Sequence, residues 1–237
     1  DLWRSEGVLD SYRRDLDSRY EQGIFHSVWP SVLPDHLYPD LWLTGVAIDE
    51  LKGLPQDKPW LLWVSYPGPH EPFDVPASWR GNHGLIPAPE ERPSDPELLG
   101  QLAAPGSELA RKLDRWPDGI PDEALKSLRS DYADHLHLLD SQIGELIKAL
   151  SFRSDFSNTA VTVCSDHGEL LGDWGLLLKG CFLEGAIRSL FVHRPPDGRR
   201  GIRRWWQPGK RAYGLTSCLW DAAAAVSRPH QGSFGAR

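Results

Sequence analysis

Apolar side chains recur at steps of three and four over Asp122 to Leu150, where Leu125, Leu128, Tyr132, Leu136, Leu139, Ile143, Leu146 and Leu150 form one stripe. The pattern predicts a long amphipathic helix lying on a sheet. Leu9, Tyr12, Leu16 and Tyr20 keep the same step between Gly7 and Gly23 and predict an earlier helix. Another is expected after Asp40, read as its N-cap, with Val46, Ile48 and Leu51 turned inward and Gly53 and Pro55 closing it. Trp60 to Tyr66 differs: it is nearly all apolar between Pro59 and Pro67, which predicts a strand buried on both faces, as in a parallel sheet. Thr159 to Cys164 predicts a second strand, fed by the long helix as in a βαβ crossover, with Cys164 as a small buried hydrophobe. Ile187 to Val192, stopped by Pro195 and Pro196, predicts a third.

Between these elements, residues 80–121 carry Pro87, Pro89, Pro93, Pro96, Pro105, Pro117 and Pro121. So long an irregular excursion reads as a lid or mobile loop, with one short helix around Glu97 to Leu113. Residues 197–237 are rich in Arg, Trp, Gly and Pro and read as a poorly patterned tail. The expected organisation is one unit over residues 1–196 and a tail over 197–237. Its class is α/β, part of a three-layer fold with a mostly parallel sheet and helices on both faces.

Length and charge narrow the function. A chain of 237 residues can bury a sizeable core, and a net charge of -7 offers no electrostatic footprint for nucleic acid. No apolar run is long enough to span a bilayer. The chain begins at Asp1 and contains no Met, so it is expected to be a piece of a longer protein. Cys164, Cys181 and Cys218 show neither a metal-like spacing nor a disulfide framework.

The chemistry concentrates at the predicted strand ends. The strand at 159–164 runs into Ser165-Asp166-His167-Gly168-Glu169, and an open α/β sheet binds ligands at that edge. Asp166 and His167 can share one cation if the backbone turns sharply between them, which Gly168 would permit. The carboxylate suits calcium or magnesium, and the imidazole shifts preference toward manganese or zinc. An Asp capping the next helix, with a His packed beside it, fits the same residues. His70 follows the strand at 60–66 in a loop stiffened by Pro67, Pro69 and Pro72. Lys179, between Leu178 and Gly180, reads either as an anion contact or as an ordinary solvent-facing lysine. Converging on one point, a cation, Lys179 and His70 would bind and polarise a tetrahedral oxyanion, and His70 could protonate a leaving oxygen.

Four segments carry a family likeness: Lys58 to Pro76 with Pro-Gly-Pro-His70-Glu-Pro-Phe, Tyr132 to Gly144, Ser165 to Asp173, and Gly175 to Pro195. In these the chain resembles type I sulfatases of the alkaline phosphatase superfamily, including choline-sulfatase-like and phosphonate monoester hydrolase-like members, over roughly residues 9–195. The resemblance implies that Asp166 and His167 are metal ligands and that His70 and Lys179 contact the sulfate. It implies a divalent metal, calcium first with manganese or magnesium as alternatives, and a small-molecule or saccharide sulfate ester as substrate. Asp140, Gly144, Glu184 and Arg188 take structural roles in it. The family's nucleophile is a formylglycine made from a Cys or Ser followed by Pro and Arg. None of the three Cys has a Pro two residues on and an Arg two beyond, so the formylglycine is expected upstream. A phosphonate monoester or phosphodiester hydrolase, or a non-catalytic remnant, is the alternative. Trp174 and Ser189-Leu190 depart from the family's usual His and Val-Pro.

Overall fold

In a computed structural model of the chain, residues 2–21, 29–84, 96–115 and 120–196 are described. Helices α1 (Leu2–Ser5), α2 (Leu9–Glu21) and α3 (Pro39–Gly53) come first. Helices α4 (Pro96–Leu102), α5 (Glu108–Arg115) and α6 (Asp122–Ser151) follow. The last third holds β1 (Val161–Cys164), β2 (Leu170–Leu171), β3 (Leu177–Leu178), α7 (Glu184–Ile187) and β4 (Phe191–Arg194).

The long helix forms where its stripe predicts, although Tyr132, Leu136, Ile143 and Leu146 of that stripe are only partly buried. Leu125, Leu128, Leu138, Leu139 and Leu150 are buried, and α6 packs chiefly on α3. The helix predicted after Asp40 also forms, but Pro39 takes its first position and Tyr38 its cap. Proline suits that place because the first helical N–H has no partner to lose. Asp40 is therefore inside the first turn and buried. The inward face of α3 is Asp40, Thr44, Ala47 and Leu51, whereas Val46 points outward.

The predicted sheet needs correction. The α/β class holds, but the strands paired among the described residues are antiparallel: β1 with β4, and β2 with β3. Trp60 to Tyr66 is extended without a strand partner among the described residues. Its side chains alternate, with Leu61 85% and Trp63 78% exposed, so one face of the run is open rather than both being covered. Cys164 alternates outward on β1 and is exposed, not buried. The predicted strand at 187–192 splits into α7 and β4, because Arg188 leaves the helix and pairing with β1 begins only at Phe191. The single helix expected at 97–113 is two, broken at Pro105-Gly106, where Gly106 has φ +75°. Residues 85–95 and 116–119 of the predicted lid, and the predicted tail at 197–237, lie outside the described residues.

What positions the site is the β2–β3 hairpin. Leu170 and Leu176 pack with Leu99, Leu109 and Ala186, and Leu177 packs with Phe73, Leu125 and Leu128. The hairpin thus ties α4, α5 and α7 on one side to α6 and the 67–76 loop on the other. Its tight turn passes over Leu125 at Gly172, φ +100°, where an added Cβ would lie 2.4 Å from a Leu125 methyl. No other residue fits both that dihedral and that approach.

Candidate active site

The register of the hairpin sets the first contact. Leu170 pairs with Leu178, so the residues just outside that pair, Glu169 and Lys179, face each other across the open end. The Lys179 ammonium lies 3.8 Å from Glu169 Oε2 and donates to Glu71 Oε2 in a very short contact. Leu178, immediately before it, holds φ +69°, a left-handed conformation costly for a branched side chain. Glu71 in turn lies 3.2 Å from Nδ1 of His70. One carboxylate therefore joins the two predicted anion contacts. His70 itself is more than half exposed, and its Nδ1 also meets the Glu71 carbonyl oxygen at 3.0 Å.

Asp166 and His167 sit three and two residues before Glu169 on the same loop. Asp166 is 87% exposed, and its Oδ1 accepts the His167 amide proton at 2.9 Å. His167 Nδ1 is 2.8 Å from the Gly168 carbonyl oxygen, which fixes the tautomer with the proton on Nδ1 and leaves the Nε2 lone pair outward. That Nε2 lies 3.7 Å from Asp166 Oδ1, a spacing that two donors at about 2.1–2.4 Å from a common cation can have. The pair fits as two ligands of one cation. Among the described residues no third His, Cys, Asp or Glu joins them.

Gly168 serves a different end from the one predicted. It is not among the positive-φ glycines; instead an added Cβ would strike the carbonyl oxygens of Gly185 at 2.1 Å and Arg188 at 2.5 Å. Close packing of the loop on α7, helped by the Gly168 N–H to Ala186 carbonyl bond of 2.8 Å, sets the course of residues 165–169. Glu184, at the start of α7, pairs with Arg188 just beyond its end, and Asp140 is buried on α6.

Three contributors escaped sequence reasoning: Glu71, Glu169 and Lys112. Burial, opposed by Lys179, pushes the Glu169 carboxyl up to about 7, with repulsion from Glu71 adding to the rise. Burial also raises Glu71, but its bonds to Lys179 and its own amide outweigh that and hold it below the usual carboxylate range. Lys112, buried on α5, donates to the Leu177 carbonyl oxygen at 2.8 Å, and burial lowers its pKa. The signal for Glu71 and Glu169 was adjacency to His70 and to the Asp-His-Gly run. For Lys112 there was none, since nothing in its own stretch of sequence tells that it reaches the Leu177 carbonyl oxygen.

The family model described as Sulfatase matches residues 7–217. The chain belongs to the sulfatase family. An arylsulfatase of Clostridium perfringens is 31% identical over 170 residues, covering 70% of this chain and 34% of that protein. A choline-sulfatase of Rhizobium meliloti is 28% identical over 155 residues, covering 61% and 28%. Among solved structures, the phosphonate monoester hydrolase of Agrobacterium radiobacter superposes with a TM-score of 0.61 at 25% identity, covering 83% of this chain and 41% of that one. These likenesses identify the fold as alkaline phosphatase/sulfatase-like α/β. This sulfatase-family chain spans about a third of the length of the curated relatives it matches.

Proposed function

We propose that this chain supplies the His70 and Lys179 side of a sulfatase active site, and that the protein it belongs to hydrolyses a sulfate monoester of a small molecule or saccharide. The observation that carries the reading is the convergence of Lys179 and His70 on one carboxylate, Glu71, at the open end of a hairpin whose other strand leads back to Asp166 and His167. Asp166 and His167 would hold a divalent cation, calcium in the first instance, which when bound supplies charge to polarise the ester oxygens. Lys179 places a positive charge where sulfate oxygens would lie and neutralises charge building there. His70 is exposed and its Nδ1 donates to Glu71, so it would hand a proton from Nε2 to the leaving oxygen as the imidazolium, with a proton on both ring nitrogens. The formylglycine nucleophile of the family would come from outside the residues considered above.

Phosphonate monoester hydrolysis is the second reading, supported by the superposition on the Agrobacterium radiobacter enzyme, since a phosphonate monoester presents the same site with a tetrahedral anion. Comparing kcat/KM for an aryl sulfate and an aryl phosphonate in the full-length protein separates the two. At least about tenfold preference for the sulfate is expected. Turnover of neither substrate, with calcium supplied, would leave the non-catalytic alternative.

A further inference from the structure

The loop that carries His70 stands on two feet, Gly68 and Asp74, and both are gripped by the same buried cluster. At the first foot, the Gly68 N–H donates to Asp40 Oδ1 at 3.1 Å. At the second, the Tyr38 hydroxyl donates to the Asp74 carbonyl oxygen at 2.6 Å. His135 of α6 joins them, its Nε2 lying 3.0 Å from Asp40 Oδ2 and 3.2 Å from the Tyr38 hydroxyl. Because the Tyr38 proton is committed to Asp74, the proton in both contacts comes from His135, which sets its tautomer as Nε2–H. Its Nδ1 is buried with no hydrogen-bond partner among the described residues. The fit allows no slack: a Cβ on Gly68 would lie 2.3 Å from His135 Nε2 and 2.8 Å from Asp40 Oδ2.

An apolar filler would stabilise a helix crossing here at least as well as these polar groups, which leave His135 Nδ1 unsatisfied. Asp40, Tyr38 and His135 are 1%, 4% and 2% exposed, so none of them touches substrate. We infer that Asp40, Tyr38 and His135 form a clamp that fixes both feet of the 67–74 loop, and that they are positioning residues for His70. The clamp itself is independent of the reaction; the role assigned to His70 rests on the sulfatase reading.

Two near-isosteric variants test it. Tyr38→Phe deletes only the hydroxyl at the second foot. Asp40→Asn keeps an oxygen for Gly68 but sets an amide against the His135 proton. Amide exchange in the 237-residue chain is the first readout. The clamp predicts that the Gly68 and His70 amides exchange about tenfold faster in each variant while the mid-α6 amides change less than about twofold. The second readout is turnover of an aryl sulfate by the full-length protein, with kcat expected to fall about tenfold and KM to stay within about twofold. Unchanged loop exchange would mean that Pro67, Pro69 and Pro72 hold the loop alone, and a uniform rise across α3, α6 and the loop would mean general core loss; either overturns the clamp. Faster loop exchange with unchanged kcat would overturn the positioning of His70. If the parent protein turns over no sulfate ester, the sulfatase reading fails while the exchange result still decides the clamp.

Discussion

Two Asp–His pairs made of the same side chains stand at opposite extremes of burial. In the Asp40–His135 pair the side chains are 2% and 3% exposed, and the ring proton points at the carboxylate from Nε2. In the Asp166–His167 pair they are 87% and 39% exposed, the ring proton points at the backbone from Nδ1, and Nε2 faces outward. The first pair commits its ring proton and both carboxylate oxygens to the protein. The second satisfies itself locally and keeps its electron pairs for something else. The contrast teaches that residue type alone does not distinguish a structural pair from one able to ligate; burial and the group that takes the ring proton do.

Replacing each acid by alanine should break the comparison most visibly. Asp40→Ala strips Gly68 and His135 of a buried acceptor and is expected to cost about 3–5 kcal/mol in urea unfolding, whereas Asp166→Ala should stay within about 0.5 kcal/mol. Equal losses in the two variants would erase the distinction.

Next in size is a pH effect beside the exposed pair. Glu169 has its ordinary value of 4.5 in the unfolded chain and about 7 in the fold, where burial disfavours its charge. The fold binds more protons between those values, so the Glu169 contribution to stability is full below the lower one and is lost as pH rises through the upper. In metal-free buffer, Glu169→Gln should therefore gain on the parent chain by about 2–3 kcal/mol between pH 4 and pH 8. A constant difference across that range would place Glu169 in a wetter setting than its burial suggests.

The smallest effect concerns the cation. With two ligands the chain should bind calcium no tighter than about 1 mM. About 10 mM calcium should then raise the unfolding free energy by less than about 1.5 kcal/mol, and Asp166→Asn should remove the rise. Micromolar binding seen by calorimetry would contradict a two-ligand site.

Much of this was legible in the sequence, and the parts that were not share a cause. The α6 stripe announced itself because helical periodicity is local, and the Asp166-His167 run stood out because its residues are contiguous. Glu169 facing Lys179 depends on a hairpin only two residues deep on each side, too short to leave a period-two signal. Asp40 looked like a cap because an acid at a helix start usually is one, and only the chain returning at Gly68 and His135 claims it for the interior. The open face of 60–66 was hidden for the opposite reason: an apolar run reads as buried whether or not a neighbour covers it.

That open run has a practical side. Every copy of the chain carries the run from Trp60 to Tyr66, without a strand partner among the described residues and with the indole of Trp63 and the isobutyl group of Leu61 facing water. Such a run is a template for its own kind, so crowding at high concentration favours like-to-like stacking into aggregates. The same indole is also an optical beacon: its emission would shift to the blue whenever another strand came to lie across it.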